Sequence, residues 1–206
     1  IKFNERRIDC VISIGGDGSL LSIIRKMENN QIPILGIHIG NLGFLNQANQ
    51  TNYQQILNEL FSEGISKMSE NNLISAYVDN LDNKELNFTL IGLNDIVVKH
   101  ADLLRLITLD INIDNEHLNS YACDGMIFST PIGSTAYSLS AGGPIVLHEI
   151  NSIIITPISP HSLSARTIIV DGEKNILINF PEFTDSINIV ADGQVQRNIN
   201  SNCKIS

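Results

Sequence analysis

Basic side chains are scarce in this sequence: 13 Lys and Arg stand against 22 Asp and Glu, a net charge of −9 over 206 residues. That balance excludes nucleic acid or an anionic membrane as the main partner, because both need a basic surface. It leaves room for a phosphate-bearing small molecule, which backbone N–H groups and a metal ion can hold. Long apolar runs are also absent; none reaches the roughly 18 residues of a membrane span. The opening stretch, Ile1 to Arg7, is followed by no apolar h-region, so no signal peptide is expected there. Cysteine is rare: Cys10, Cys123 and Cys203 are odd in number and form no C-x-x-C pair. They read as reduced thiols of a cytoplasmic protein, neither a disulfide framework nor a zinc site. Charged residues reach only 17%, but 43% of the chain is hydrophobic, enough for a real core and too much for a disordered chain. At about 150 residues per domain, the length allows one large domain or two small ones.

The first third alternates strand and helix. Residues 9–14 (DCVISI) form a short β-branched run that stops at Gly15-Gly16. From Ser19 the period changes, and Leu20, Ile23, Ile24 and Met27 share one face of a helix. Residues 32–37 (IPILGI) give the next strand, and Tyr53, Ile56, Leu57 and Leu60 repeat the helical spacing. This order predicts a parallel sheet with right-handed crossovers. After Gly64 the helical period disappears. Alternating runs follow at 73–78, 86–91, 95–98, 103–113, 118–122, 126–129, 152–156, 167–170, 175–180, 186–190 and 194–197. Turns separate them at Asp82-Asn83 and Asp114-Asn115, and Asp192-Gly193 is a two-residue hairpin signal. Residues 134–141 are small and polar and read as a short helix or tight loop. The fold class is therefore α/β followed by all-β: a Rossmann-like domain over 1–66 and a β-sandwich-like domain over 67–206. A two-stranded parallel layer would be poorly covered, and residues 203–206 stop inside another strand, so further segments are expected at both ends.

Gly15-Gly16-Asp17-Gly18-Ser19 lies between the first strand and the first helix. The glycines let the backbone approach a ligand closely, and the helix N-terminus behind them is a natural seat for phosphate. Gly15, Gly16, Gly18 and Ser19 are the candidate phosphate (ATP) contacts. A carboxylate is unfavourable in such a seat unless it holds Mg²⁺ or takes a proton from an attacking hydroxyl. The competing reading is that Asp17 and Ser19 simply cap the helix. The turn is neither a Walker A loop nor a G-x-G-x-x-G fingerprint. The short motif GGDGS is shared by phosphofructokinases, diacylglycerol and sphingosine kinases and NAD kinases, and by itself does not choose.

Four further segments carry chemistry. Residues 36–45 (GIHIGNLGFL) follow the second strand. Asn94-Asp95 opens a strand, and Cys123-Asp124-Gly125 lies in the β region. Residues 129–144 (STPIGSTAYSLSAGGP) are too rich in glycine and small hydroxyls for core and too long for one turn. Such a segment can wrap an adenine and a ribose, with Tyr137 as a stacking surface. The five histidines show no H-E-x-x-H or i,i+4 pairing, so no protein-held metal site is expected. His161 and Arg166 in PISPHSLSAR read as structural, and Cys123 as packing.

Taken in order, GGDG, GNLGFL, the Asn-Asp pair, the Asp-Gly before the long loop, STPIGSTAYSLSAGGP, PISPHSLSAR and the late DGQ resemble the bacterial NAD kinase family over essentially the whole chain. The resemblance implies an ATP- or polyphosphate-dependent NAD⁺ kinase with two domains, a cleft site and a homodimeric or homotetrameric assembly. It implies Mg²⁺ as divalent cation and ATP as co-substrate. By matching position, Asp17 corresponds to the catalytic acid/base, with Gly18 beside it. Phe44 and Leu45 would lie near the dinucleotide. Asn94, Asp95, Arg105 and Asp124 match NAD contacts, and Thr135, Ala136, Tyr137, Ser138 and Ser140 match the adenosine loop. Gln194 matches a residue that completes the pocket. Asp95 stands where many members have Glu, one methylene longer, and Ala122 where related enzymes often carry a basic residue. The alternatives are a diacylglycerol-type lipid kinase, which the polar 129–140 loop disfavours, and a non-catalytic dinucleotide-binding sensor.

Overall fold

In a computed structural model the chain is described over residues 8–40, 43–64, 68–102, 105–184 and 186–206. Two compact units divide at Glu70/Asn71.

The first unit pairs β1 (Val11–Gly15) with β2 (Ile34–His38) in parallel, Ser13 opposite Gly36 and Gly15 opposite His38. Helix α1 (Asp17–Met27) connects them and buries Leu20, Leu21, Ile24 and Met27. It begins two residues before the predicted Ser19, because Gly16 is the N-cap and polar residues of a first turn carry no apolar periodicity. Leu21 is buried, whereas the expected Ile23 is only half-buried. Helix α2 (Tyr53–Glu63) sets Tyr53, Ile56, Leu57 and Leu60 against Leu35, Ile37 and Ala48. Ile12 and Ile14 of β1 are exposed.

The second unit contains two six-stranded antiparallel sheets. One runs β4 (Phe88–Gly92), β3 (Ile74–Asn80), β14 (Cys203–Ile205), β11 (Ile176–Asn179), β6 (Ile107–Ile113), β7 (Glu116–Cys123). The other runs β10 (Ile168–Asp171), β9 (Ser152–Ile158), β8 (Gly125–Ser129), β5 (Asp95–His100), β12 (Ile187–Ala191), β13 (Val195–Ile199). Inward residues of both sheets form one core, with Val78, Leu109 and Ile111 from the first and Val98, Met126 and Ile189 from the second. Burying such a side chain fully contributes roughly 1.5–3 kcal/mol.

The differences from the sequence reading have local causes. The predicted strand at 86 begins at Phe88, because Asn83 accepts a hydrogen bond from the Glu85 N–H and caps a 3-10 turn over Lys84–Leu86. The strand predicted from Leu103 begins at Ile107; Leu103 and Leu104 lie outside the described residues. Strand β9 runs past the predicted end at Thr156 through Pro157, which a strand tolerates at an edge. Pro157 pairs only with Met126 of β8, because β10 reaches no further than Ile155. Both expected hairpin turns form: Asp114 and Asn115 have positive φ, and so do Asp192 and Gly193. The second turn closes through the Gln194 N–H on the Ala191 carbonyl, and strand pairing starts at Ala191 and Val195. Its loop therefore runs over Asp192, Gly193 and Gln194 rather than two residues, and β13 begins after the predicted Gln194.

Strand alternation puts Asp95, Val97, Ile127, Ser129, Ile154 and Thr156 on the face of their sheet opposite the core. A 3-10 turn over Ile132–Thr135 and the one-turn helix α3 (Tyr137–Ser140) follow β8, and the Ser138 and Thr156 hydroxyls hydrogen bond at 3.0 Å. Val97, Ile127, Ile154 and Thr156 are all buried on that outer face.

Candidate active site

The glycine-acid turn sits in the first unit. Gly15 has a φ of +153°, and a Cβ there would meet Ser19 Oγ at 2.6 Å, so the strand leaves β1 over the helix start without a side chain. The capping role considered for Asp17 and Ser19 is not what the side chains do: α1 has no side-chain cap. The Asp17 carboxylate turns to the segment after β2. Its Oδ2 accepts from the Phe44 N–H at 2.8 Å, and its Oδ1 accepts from the Leu45 N–H at 3.3 Å and from Asn46 Nδ2 at 2.8 Å. Gly43 lies directly against the carboxylate; a Cβ there would fall 2.2 Å from Oδ1. Gly16 and Leu45 are half-buried, Gly18 and Ser19 are exposed, and the Phe44 ring is 90% exposed. Asn41 and Leu42 of the GNLGFL motif lie outside the described residues.

The second group lies in the second unit, where β5 starts and β8 and β12 end. Asp192, in the hairpin after β12, accepts hydrogen bonds from three consecutive backbone N–H groups: Leu93 at 3.2 Å, Asn94 at 2.8 Å and Asp95 at 3.3 Å. Its own N–H donates to the Asp95 carbonyl at 3.0 Å. On the other side the Thr130 hydroxyl donates to the Leu93 carbonyl at 2.6 Å, and the Thr130 N–H donates to the Asn94 carbonyl at 2.9 Å. Gly133 is pressed onto Asn94 so tightly that a Cβ would sit 1.9 Å from its carbonyl oxygen. Asn94, Asp95, Gly133 to Tyr137 and the Gln194 turn are thus drawn into one neighbourhood. Within it Ser138 is buried, Asn94 and Ala136 are half-buried, and Thr135, Tyr137, Ser140 and Gln194 are exposed. Asp192, Thr130 and Gly133 escaped the sequence reading as residues that shape this region. Only the DG dipeptide and the hydroxyl-glycine run hinted at them.

Asp95 is 3% exposed. Burial pushes its carboxyl up to about 7, and the neighbouring Asp192 carboxylate adds to the rise. Near neutrality it therefore exists in both forms, able to donate a hydrogen bond or to accept one. Between about pH 4 and 7 the folded chain keeps a proton that the unfolded chain releases. The stability this group favours is full at low pH and is lost as pH rises towards 7. Asp95→Asn is expected to flatten that dependence and to raise stability at pH 8 by on the order of a few kcal/mol, while weakening ligand binding. Urea unfolding at pH 5 and pH 8 measures it; an unchanged slope between the two would refute the assignment.

Arg105 and Asp124 are not brought to this neighbourhood. Both are exposed, and Arg105 pairs with Asp102 at 3.5 Å. Asp124 precedes β8, at the end opposite Ser129, about 17 Å away at 3.4 Å per residue. Cys123 is fully buried and burial pushes its thiol up to about 11, in keeping with packing. Arg166 Nη1 donates to the Leu163 and Ala165 carbonyls and so ties down its own turn, whereas the His161 main-chain N–H donates to the Ala122 carbonyl of β7 and fastens that segment to a distant strand. A cavity of about 500 Å³ in the unit is lined by Ile74, Ile96, Phe128, Ile153, Ile176 and Lys174 among others; Thr130 also lines it, but none of the predicted site residues does. Among the described residues no three His, Cys, Asp or Glu side chains could jointly hold a metal ion. No helix among them is long and apolar enough to cross a membrane.

Residues 1–65 match the model of the ATP-NAD kinase N-terminal domain, and residues 93–206 that of the ATP-NAD kinase C-terminal domain. This chain belongs to the NAD kinase family. The NAD kinase of Flavobacterium johnsoniae is 36% identical over 193 residues, which cover 93% of this chain and 64% of that protein. The NAD kinase of Clostridium beijerinckii is 38% identical over 198 residues, covering 96% and 68%. The chain thus spans about two thirds of the length of its curated NAD kinase relatives. Among solved structures, yeast NADH kinase complexed with NADH superposes with a TM-score of 0.89 at 32% identity, covering 97% of this chain and 58% of that one. An NAD kinase from Archaeoglobus fulgidus in complex with ATP gives 0.76 at 28% identity, covering 97% and 74%. The expected fold, an α/β unit followed by a β-sandwich-like unit, is that of these NAD kinases.

Proposed function

We propose that this protein is an NAD⁺ kinase, transferring the γ-phosphoryl of ATP to the 2′-hydroxyl of the adenosine ribose of NAD⁺ to give NADP⁺ and ADP. The observation that carries the reading is the Asp17 carboxylate, held by three donors of the 44–46 segment rather than capping its helix. The archaeal relative's ATP complex and the yeast relative's NADH complex support the two substrates.

Asp17 takes the proton of the 2′-hydroxyl as its oxygen bonds to the γ-phosphorus and the bond from that phosphorus to the β,γ-bridging oxygen breaks. Proton removal by a placed base contributes about 10²–10⁴-fold. Holding acceptor and donor in line supplies roughly 7–11 kcal/mol. Mg²⁺ arrives as part of the MgATP substrate. Gly15, Gly16, Gly18 and Ser19 receive phosphate; Phe44 and Leu45 flank the dinucleotide. Asn94 and Asp95 hold ribose hydroxyls, Thr135, Ala136 and Tyr137 fix the adenine, and Ser138, Ser140 and Gln194 complete its surroundings. Arg105 and Asp124, remote from Asn94 within one chain, reach the dinucleotide from a second copy in a cytoplasmic homo-oligomer.

A coupled assay for NADP⁺ formation with ATP and Mg²⁺, run beside NAD⁺ calorimetry on the full chain, tests the proposal. Turnover dependent on both substrates is expected. Binding without turnover overturns it in favour of a dinucleotide sensor.

A further inference from the structure

We propose that Asn46 is a positioning residue for Asp17, and that Oδ2 of Asp17, rather than Oδ1, is the oxygen that receives the proton. This rests on the kinase reading above and adds to it a residue and an atom.

The two ends of the Asn46 amide are in opposite situations. Its Nδ2 donates to Asp17 Oδ1 at 2.8 Å. Its Oδ1 is buried and has no hydrogen-bond partner among the described residues. That oxygen lies over Gly36, where a Cβ would come within 2.4 Å of it. A buried carbonyl left unpaired costs about 1–3 kcal/mol. Turning the amide over would set its oxygen against a carboxylate oxygen, acceptor to acceptor. Asp17 therefore dictates the amide's orientation, and the chain accepts an orphaned oxygen to keep the donor aimed at the carboxylate. A residue that offends the fold while serving one side chain is the pattern of a functional site.

The same contacts make the two carboxylate oxygens inequivalent. Each oxygen of an ionised carboxylate offers two lone pairs. Oδ1 accepts two hydrogen bonds, from Asn46 Nδ2 and the Leu45 N–H, and is filled. Among the described residues Oδ2 accepts one, from the Phe44 N–H, which leaves one lone pair open. The carboxylate fits beside residue 43 only because that residue has no Cβ.

The test is a kinetic cycle on the full chain. Asn46→Ala is expected to lower kcat about 10–100-fold, as small misplacement of a reacting group does, with KM for NAD⁺ changed less than about twofold. Its thermal midpoint should stay level or rise, since the orphaned oxygen is gone. In an Asp17→Asn background the same change should alter the residual rate by less than about twofold. Asn46→Ser, smaller than Asn and still polar, guards against a packing defect and should lose turnover in the same way. Near-normal kcat in Asn46→Ala, or equal losses in both backgrounds, overturns the positioning role. A wild-type chain that binds NAD⁺ without making NADP⁺ overturns the kinase reading instead.

Discussion

Asp17→Asn is expected to leave NAD⁺ binding within about threefold and to cut turnover by at least about two orders of magnitude. The substitution keeps the side chain's size and removes its ability to take a proton. It also disturbs the local network. A carboxamide has one acceptor end, whereas Asp17 accepts at both oxygens, from Phe44 on one and from Leu45 and Asn46 on the other. Whichever way the amide turns, its NH₂ meets a donor. A loss of about 1–3 kcal/mol of stability therefore accompanies the kinetic loss. Calorimetry with NAD⁺ separates the two effects, because a chain that still binds is folded. Turnover close to that of the native protein would remove Asp17 from the chemistry.

The largest structural loss is expected from Asp192→Ala. Truncation leaves the N–H groups of Leu93, Asn94 and Asp95 without their shared acceptor. With about 1–3 kcal/mol for each buried donor left unpaired, and water replacing part of the contact, a net loss of at least about 3 kcal/mol follows. NAD⁺ binding should fall with it, since Asn94 and Asp95 lose their backbone support. Asp192→Asn is the informative companion: it retains one acceptor oxygen and removes the charge that adds to the elevation of Asp95. Its stability should be much nearer that of the native chain, and the loss of stability on raising pH should move to lower pH. Equal destabilisation by the Ala and Asn variants in urea titrations at pH 5 and 8 would show that the carboxylate's hydrogen bonds are not the source.

The strands were legible in the sequence wherever alternation was long and turn chemistry explicit. Asp114-Asn115 and Asp192-Gly193 both turn where expected because few residues other than glycine tolerate positive φ as well as Asp and Asn do. Element ends were less legible. The apolar period is silent about Asp17 and Gly18, which belong to α1, and about the Asn83 cap that delays β4. In the candidate site, motif glycines announced close approaches without naming the partner. Gly43 and Gly133 are in the motifs, yet the sequence does not show that one abuts a carboxylate and the other a main-chain carbonyl. Asn46 gave no signal in the sequence, because its partner is 29 residues away. Asp192 looked like an ordinary turn residue because a dipeptide signal reports backbone preference, not where the carboxylate reaches. Hydrogen bonds across such separations leave no local periodicity.

The clasp between Asp192 and the amides at 93–95 joins positions up to 99 residues apart. During synthesis, the segment at 93–95 leaves the ribosome long before its fastener exists. Nascent chains arrested short of the β12–β13 hairpin would carry every residue of the STPIGSTAYSLSAGGP loop and still lack the bonds that shape its neighbour. Competence for the proposed dinucleotide should thus arrive late and abruptly in translation, with the emergence of that one hairpin.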